Sequence, residues 1–343
     1  MKHTKKLLAA LLAALMVFGL TSCGSVGKWI AKTDSIEVPV GAYLLNEGMY
    51  YQYSVYYVSD SSKSPLKQEI KVDDNTTQTG AEWVQSNAMT AVKNMVAVLS
   101  ECRKLNITLT DDEAAAIKEN VDTTWDSNSA TYEKIGIAKS SVRFIYEFNK
   151  LNEKLFDAKY GPNGSSAVKD SELKSYFEEK YTSVEYFTVS LKGSDGKALS
   201  DDEQAKIKTE LEKLGDQYSS GTSFDDVTAA YNKAHSDATV TANSRIAIAS
   251  NVFSTDVVKA IDDCKEGKAT VVSTSNYMYL IAKHKIADET ADYLKENATT
   301  LRHELKDSDY KAELEEAAKA LTITENDAAV KKYSARWIEK NIK

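Results

Sequence analysis

The chain reads as an α+β protein that is mostly helical, with long helical segments at both ends and one β-containing segment between them. Three observations predict this. Apolar residues recur at three- and four-residue steps over long stretches such as 82–104 and 140–159. Strand-like patterns concentrate in one segment, beginning at Ser183–Leu191 and closing at Asn276–Lys285. The chain has 14 Gly and 3 Pro in 343 residues, few for the many βα turns of a doubly wound sheet.

The order of elements begins with a targeting segment. Lys2, Lys5 and Lys6 precede an apolar run from Leu7 to Phe18, too short and too poorly flanked for a membrane span. Leu20-Thr21-Ser22-Cys23 then places small residues before a cysteine. This resembles a bacterial lipobox; an ordinary secretory signal with a chance cysteine is the plain alternative. The resemblance implies removal of 1–22, a lipid on the Cys23 thiol and a chain held on the outer face of a bacterial cell membrane. That extracytoplasmic compartment has no ATP supply. Without residues 1–22 the chain carries 40 basic and 51 acidic residues, a net charge of −11. Such acidity excludes nucleic acid and anionic lipid as partners through bulk charge. About 320 residues remain, enough for two domains.

Residues 23–35 read as the lipidated cysteine and a tether. A short strand is predicted over Ser35–Val40, and Pro39 opens a helix from about Gly41 to Val58. Six of the 19 tyrosines lie here: Tyr43, Tyr50, Tyr51, Tyr53, Tyr56 and Tyr57. At helical spacing they form core plus a wet rim, or a sticky surface for unfolded chains, with Tyr50, Tyr53 and Tyr57 its candidates. Residues 59–80 are polar and loop-like. The stripe Val84, Ala88, Ala91, Met95, Val98 or Leu99, Cys102 and Leu105 predicts an amphipathic helix over Glu82–Lys104. Thr110 and Glu113 form a capping box for a helix through Val121. Gly136 breaks the pattern before a helix over Ser140–Lys159, with the stripe Phe144, Phe148 or Ile145, Leu151 and Leu155, stopped by Gly161-Pro162-Asn163-Gly164. Asp170 caps a helix over Ser171–Lys180.

The middle segment reads β-α-α-β-α-β: a strand at Ser183–Leu191, helices at Asp201–Ser219 and Ser223–Ala234, a short strand at Arg245–Ala249, a helix at Ser254–Cys264 capped by Ser254, and a strand at Asn276–Lys285. After Asp288 the chain is helical again, with an extended piece at Leu321–Thr324 and a last helix from Asn326. Cys102 and Cys264 read as one buried thiol per domain; a bridge between them needs two distant segments to meet.

Within 184–286, the strand Val184–Leu191, KIKTELEKL, Gly221–Tyr231 (GTSFDDVTAAY), VVKAIDDCKEGKAT and Ser273–Ile286 follow one another in the order of a parvulin-type prolyl isomerase domain. Gly221 and Phe224 match that family's Gly-x-x-Phe pair, and Lys265 and Gly267 its Lys-x-Gly before the last strand. The flanks, KIGIAKSSVRFIYEFNKLNEKLF…VKDSELKSYFEEKY and LTITENDAAVKKYSARWIEKNI, resemble the helical lobe and returning tail of the PrsA/SurA-type foldases. The resemblance implies a SurA/trigger-factor-like helical chaperone lobe built from residues 36–180 and 289–343, with a parvulin-like (PpiC-type) domain inserted at 181–288.

It also implies a function: binding newly exported, unfolded polypeptides, with no cofactor and no metal. Carried over by position, the family's two active-site histidines fall on Tyr186 and Tyr279. Asp237 is the nearest candidate for its acid, Thr274 matches its threonine, and Phe224, Val252 and Phe253 are candidates for the peptide slot. Phe224 also reads as a core residue, and a hydrophobic residue before a capped helix, as Val252 and Phe253 are, is more often a staple. No glycine occurs between Gly221 and Gly267, so the family's Gly-Gly turn is missing. Tyrosine is larger than histidine and lacks the second ring nitrogen, so weak or absent isomerase activity is expected.

Other chemistry finds no motif. His303-Glu304 begins a zinc-protease pattern, but position 307 is Asp. His235, His284 and His303 are too widely spaced for a metal cluster. A solute-binding lipoprotein of an uptake system is the alternative reading, and it requires two α/β lobes of parallel strands. The sequence leaves a homodimer open.

Overall fold

A computed structural model describes residues 28–342. The signal segment 1–22 and Cys23 lie outside the described residues. The described residues separate into two compact units, one of the residues up to Ser166 together with those from Ser308 onward, the other of Ala167–Asp307. The architecture is α+β and mostly helical.

The first unit begins with two strands, β1 (Trp29–Lys32) and β2 (Glu37–Pro39), paired antiparallel. Within the segment expected to be a tether, the described residues from Trp29 to Lys32 are instead a strand, with Ile30 and Ala31 fully buried. Helix α1 (Val40–Ser54) starts on Pro39, whose fixed φ suits the first turn. Its opening turn is buried all round, and the helix that carries Ser141 passes so close that a Cβ on Gly41 would lie 2.3 Å from Ser141 Oγ. Within α1 the Tyr43 hydroxyl donates to Glu47 Oε1 at 2.8 Å, and among the described residues Glu47 Oε2 has no partner although the side chain is fully buried. Burial pushes the Glu47 carboxyl up to about 8, against the lowering effect of the Tyr43 bond.

Residues 59–80 are more than a loop. They contain the antiparallel hairpin β3 (Glu69–Lys71) and β4 (Thr77–Thr79), and Leu66 and Ile70 turn into the core. Thr79 then caps α2 (Gly80–Lys104) in a reciprocal box with Glu82. The buried stripe of α2 runs through Val84, Ala88, Val92, Met95, Val98 and Cys102. Ala91 is only partly buried and Leu105 is exposed, because the helix ends at Lys104 and Asn106 takes φ 55° to reverse the chain.

Thr110 and Glu113 form the predicted capping box, and the helix they open, α3 (Asp111–Ile135), runs well past Val121. No breaker occurs before Gly136, whose φ of 95° is the left-handed conformation that only glycine adopts cheaply. The polar middle of α3 is held by Thr124 Oγ1, 2.7 Å from the Tyr146 hydroxyl on α4 (Lys139–Tyr160). Leu151, Leu155 and Phe156 of α4 are buried, whereas Phe144, Ile145 and Phe148 stay half-buried. Thr110→Ala removes one satisfied amide of α3 and is expected to cost about 1 kcal/mol, read as a lower urea midpoint by helix circular dichroism. An unchanged midpoint contradicts a stabilising cap.

The second unit opens with α5 (Asp170–Lys180), in which Asp170 is the first helical residue rather than the cap. Next come β5 (Tyr181–Ser190), α6 (Asp201–Ser219), α7 (Phe224–Ala234), β6 (Asn243–Ala249) and α8 (Thr255–Asp263). Ser254 sits at the N-cap of α8 but makes no side-chain cap bond. Two strands follow where one was expected: β7 (Lys268–Ser273) and β8 (Tyr277–His284) form a hairpin, so the order is β-α-α-β-α-β-β. The four strands form one antiparallel sheet in the order β6-β5-β8-β7.

The period of two in β5 and β8 sorts side chains to the two faces of this sheet. Phe187, Val189, Met278, Leu280 and Ala282 meet Leu211 and Leu214 of α6 and Phe224, Val227 and Tyr231 of α7. On the opposite face Val184 and Ile281 meet Val257 and Ile261 of α8. The unit is wider than 181–288 at both ends. Phe177 of α5 stacks on Tyr293, 4.4 Å between ring centres, at the start of α9 (Thr290–Lys319), and the Tyr181 hydroxyl donates to Glu304 at 2.8 Å.

From Ser308 the chain rejoins the first unit. The Tyr310 hydroxyl donates to Asn152 Oδ1 at 2.7 Å. Strand β9 (Thr324–Glu325) adds to β1, giving the order β2-β1-β9. After α10 (Asp327–Lys332), α11 (Ala335–Ile342) buries Ile338, and Trp337 Nε1 donates to Ile135 O at 2.9 Å. A helical lobe is thus built from both ends of the chain. Every strand pairing among the described residues is antiparallel, so the parallel lobes of a solute-binding lipoprotein are not among them. No helix of the described residues is long and apolar enough to cross a membrane.

Candidate functional site

In the second unit, β5 and β8 run side by side with Tyr186 opposite Ile281 and Thr188 opposite Tyr279. Tyr186 and Tyr279 therefore stand diagonally on one face, their ring centres 6.1 Å apart and their planes 33° from parallel. Phe253 follows a short turn after β6 and meets Tyr186 edge-on, 5.6 Å between centres at 77°. The edge-to-face arrangement sets the positive ring edge against a negative face. Beneath these half-buried rings lie Val184, Val257, Ile261 and Ile281, which give the cluster an apolar floor. Burial, then the neighbouring Tyr186 and Tyr277, raise the Tyr279 phenol above its ordinary value, so it stays neutral. Among the described residues neither the Tyr186 nor the Tyr279 hydroxyl has a hydrogen-bond partner, which leaves both open to an incoming carbonyl or amide.

The other candidate residues do not all join this cluster. Val252 is beside it and 59 % exposed. Phe224 is a correction: it is buried against Phe187 and Tyr218, at 5.8 Å from each ring, on the opposite face of the sheet. An apolar residue at the first position of a helix cannot reveal from sequence which sheet face its helix covers. Thr274 closes the β7–β8 hairpin: its hydroxyl donates to Tyr277 O at 3.0 Å and accepts from Tyr277 N at 3.2 Å. Asp237 is exposed in the turn after α7, and among the described residues no hydrogen bond or ion pair ties it to either tyrosine.

Sequence reading missed the acid partners of the histidines. His284 Nε2 lies 2.9 Å from Glu185 Oε2, with Tyr218 edge-on to the imidazole, and His235 Nε2 lies 2.8 Å from Glu210 Oε2. The only available signal was strand parity, which sends Glu185 to the same face as Phe187. His303 Nδ1 meets Asp307 Oδ1 at 2.8 Å, one helical turn on, so the residue that breaks the zinc pattern is its hydrogen-bond partner. Among the described residues no group of three His, Cys, Asp or Glu is placed to hold a metal. Cys102 and Cys264 are both free. Cys102 is buried with Sγ 3.5 Å from Leu151 O, and burial, then Glu101, raise its thiol to about 11.

In the first unit the tyrosines divide by position. Tyr43 is buried, Tyr50 and Tyr51 are half-buried, and Tyr53, Tyr56 and Tyr57 are 48, 84 and 60 % exposed. Trp83, in the first turn of α2, lies between Tyr50 at 5.8 Å and Tyr57 at 5.2 Å, and Tyr50 meets Tyr53 at 6.3 Å. Met49 and Val55 are exposed beside them. This aromatic surface exists because α1 ends at Ser54 instead of Val58, which releases Tyr56 and Tyr57 from the helix.

No family model matches the chain, and no curated protein matches it. Among solved structures, the chain is similar to the foldase protein PrsA from Lactococcus lactis, with 13 % identity over 92 % of this chain and 100 % of that one and a TM-score of 0.35. It is similar to PrsA from Streptococcus pneumoniae, with 16 % identity over 77 % and 98 % and a TM-score of 0.31. For the peptidylprolyl isomerase PrsA from Bacillus cereus the identity is 14 % over 81 % and 100 %, with a TM-score of 0.34.

Proposed function

We propose that this protein is a membrane-anchored, extracytoplasmic folding factor of the PrsA/SurA type that binds exported, unfolded polypeptides. Cys23 carries its lipid, and a parvulin-like module at about 181–288 has weak or no isomerase activity. The observation that carries the reading is the Tyr186–Tyr279 pair. The two positions that the parvulin resemblance assigns to histidines stand side by side on neighbouring strands, with Phe253 closing over one of them.

Prolyl isomerisation breaks no covalent bond. It lowers a rotational barrier of about 18–20 kcal/mol by favouring the twisted amide. An apolar shelf of Phe253 and the tyrosine rings suits a proline ring, and a phenol can donate one hydrogen bond to a substrate carbonyl. The paired imidazoles of a full polar network are missing, so a peptide is held with little of the polarity that loosens its C–N bond. The tyrosines on α1 and Trp83 on α2 offer a second apolar surface. Binding of this kind is broad and weak, as release without ATP requires.

The test is cis/trans exchange of proline peptides followed by NMR. The expected result is exchange near the uncatalysed rate with peptide signals broadened or shifted, and Tyr186→Ala with Tyr279→Ala should abolish the broadening. Exchange well above the uncatalysed rate, reduced by Tyr186→Phe and Tyr279→Phe, would make the protein a working isomerase with a tyrosine site. Sharp, unshifted peptide signals, together with no protection of an unfolded protein from aggregation, overturn the reading.

A further inference from the structure

The two edges of the four-stranded sheet are not alike. At β7, Ala269 N donates to Ser219 Oγ at 3.1 Å and Lys268 Nζ to Ser219 O at 2.8 Å, so α6 covers part of that edge. At β6 the only neighbouring strand among the described residues is β5. Beyond that pairing, the polar contacts of residues 243–249 among the described residues are made by side chains, Asn243 Nδ2 donating to Tyr186 O at 3.4 Å and Arg245 pairing with Glu289. Among the described residues the outer backbone groups of β6 therefore have no partner.

Edges of this kind are usually blunted by proline, by lysine or by shortness. The sequence of β6, NSRIAIA, has seven residues and neither Pro nor Lys. Its one charge, Arg245, is engaged by Glu289 at 2.5 Å. The register places Ile246 opposite Val184 and Ile248 opposite Thr182, so both isoleucines share the face that carries Tyr186, Tyr279 and Phe253.

We infer that β6 is a docking edge at which an extended, unfolded polypeptide adds as a fifth strand. This inference rests on the polypeptide-binding reading above and gives it a mode. Only a chain in the β conformation supplies donors and acceptors at the spacing of a free strand edge. Recognition through the backbone is indifferent to sequence, and pockets for alternate side chains add preference. Every second side chain of the added strand lies on the sheet face that carries Ile246 and Ile248. The edge thus selects extended segments with alternating apolar residues, as strands of unfolded clients have.

The probe is a ten-residue peptide alternating valine and threonine, with a twin N-methylated at two adjacent central residues so that both of its edges lose a donor. The expected result is slowed amide exchange within 243–249 when the parent peptide binds, and affinity about tenfold lower for the twin, the loss of one backbone hydrogen bond at whichever edge docks and of the partner of one β6 carbonyl. Equal affinity of parent and twin overturns the inference. Binding with protection only around Tyr53, Tyr57 and Trp83 also overturns it and leaves the polypeptide-binding reading standing. If the protein neither binds the parent peptide nor protects any unfolded protein from aggregation, both fail together.

Discussion

Glu47→Gln is expected to stabilise the helical unit by about 3 kcal/mol at pH 8 and to destabilise it by about 1 kcal/mol at pH 4.5. The cause is a carboxyl with nowhere to put a charge. Glu47 is fully buried, one oxygen accepts from Tyr43 and, among the described residues, the other has no partner. Burial raises its pKa from the usual 4.5 to about 8. Between these values the unfolded chain has released the proton and the folded chain has kept it. The folded state therefore binds more protons, and its stability falls as pH rises from about 4.5 to about 8. At about 1.36 kcal/mol per pKa unit the full span is on the order of 5 kcal/mol. Glutamine keeps the oxygen that accepts from Tyr43 and does not titrate, but its amide leaves two N–H donors unpaired where the protonated acid leaves one O–H, which offsets about 1 kcal/mol of the gain. Urea unfolding of both proteins at pH 4.5, 6 and 8 reads the difference. Parallel stability–pH curves would show that Glu47 does not titrate in this window.

Phe187→Ala should cost the sheet unit about 3–5 kcal/mol. Phe187 is fully buried on β5, a central strand, with the rings of Tyr231 at 5.4 Å and Phe224 at 5.8 Å. Both neighbours are anchored on α7, a helix with its own buried face against the sheet, so collapse around the lost ring is limited. Because the side chain points away from the face that carries Tyr186 and Tyr279, the variant weakens the unit without removing a ring from the candidate site. Amide exchange in β5 and β8 under mild urea measures the loss. A change below about 1 kcal/mol would mean that the core repacks with unusual ease.

Much of the helical structure was legible because its signals are local. The Thr110–Glu113 box, the glycine at 136 and the stripe from Val84 to Cys102 act within a turn or two of their own backbone. The strand at Ser183–Leu191 was legible for the same reason, since alternation of side chains needs no partner to be visible. Short strands were not. Trp29–Lys32 reads as tether because its stabilising neighbours are β2 and, some three hundred residues away, β9. Lys268–Ser273 has no pattern of its own length and becomes a strand by pairing with β8.

The candidate site divides along the same line. Sequence order alone named Tyr186, Tyr279, Phe253 and Val252 as neighbours through a resemblance, and placed six tyrosines in one stretch of chain. Which of these side chains share a surface was decided by tertiary structure. The β5–β8 register brings Tyr186 and Tyr279 within 6.1 Å, the sheet face takes Phe224 into the core, and the hairpin occupies the hydroxyl of Thr274. The buried charge problem of Glu47 and the open edge of β6 also arose only there. The physical reason is that periodicity and capping are properties of a few consecutive residues. Burial, register and the pairing of an edge depend on segments whose separation along the chain carries no local mark.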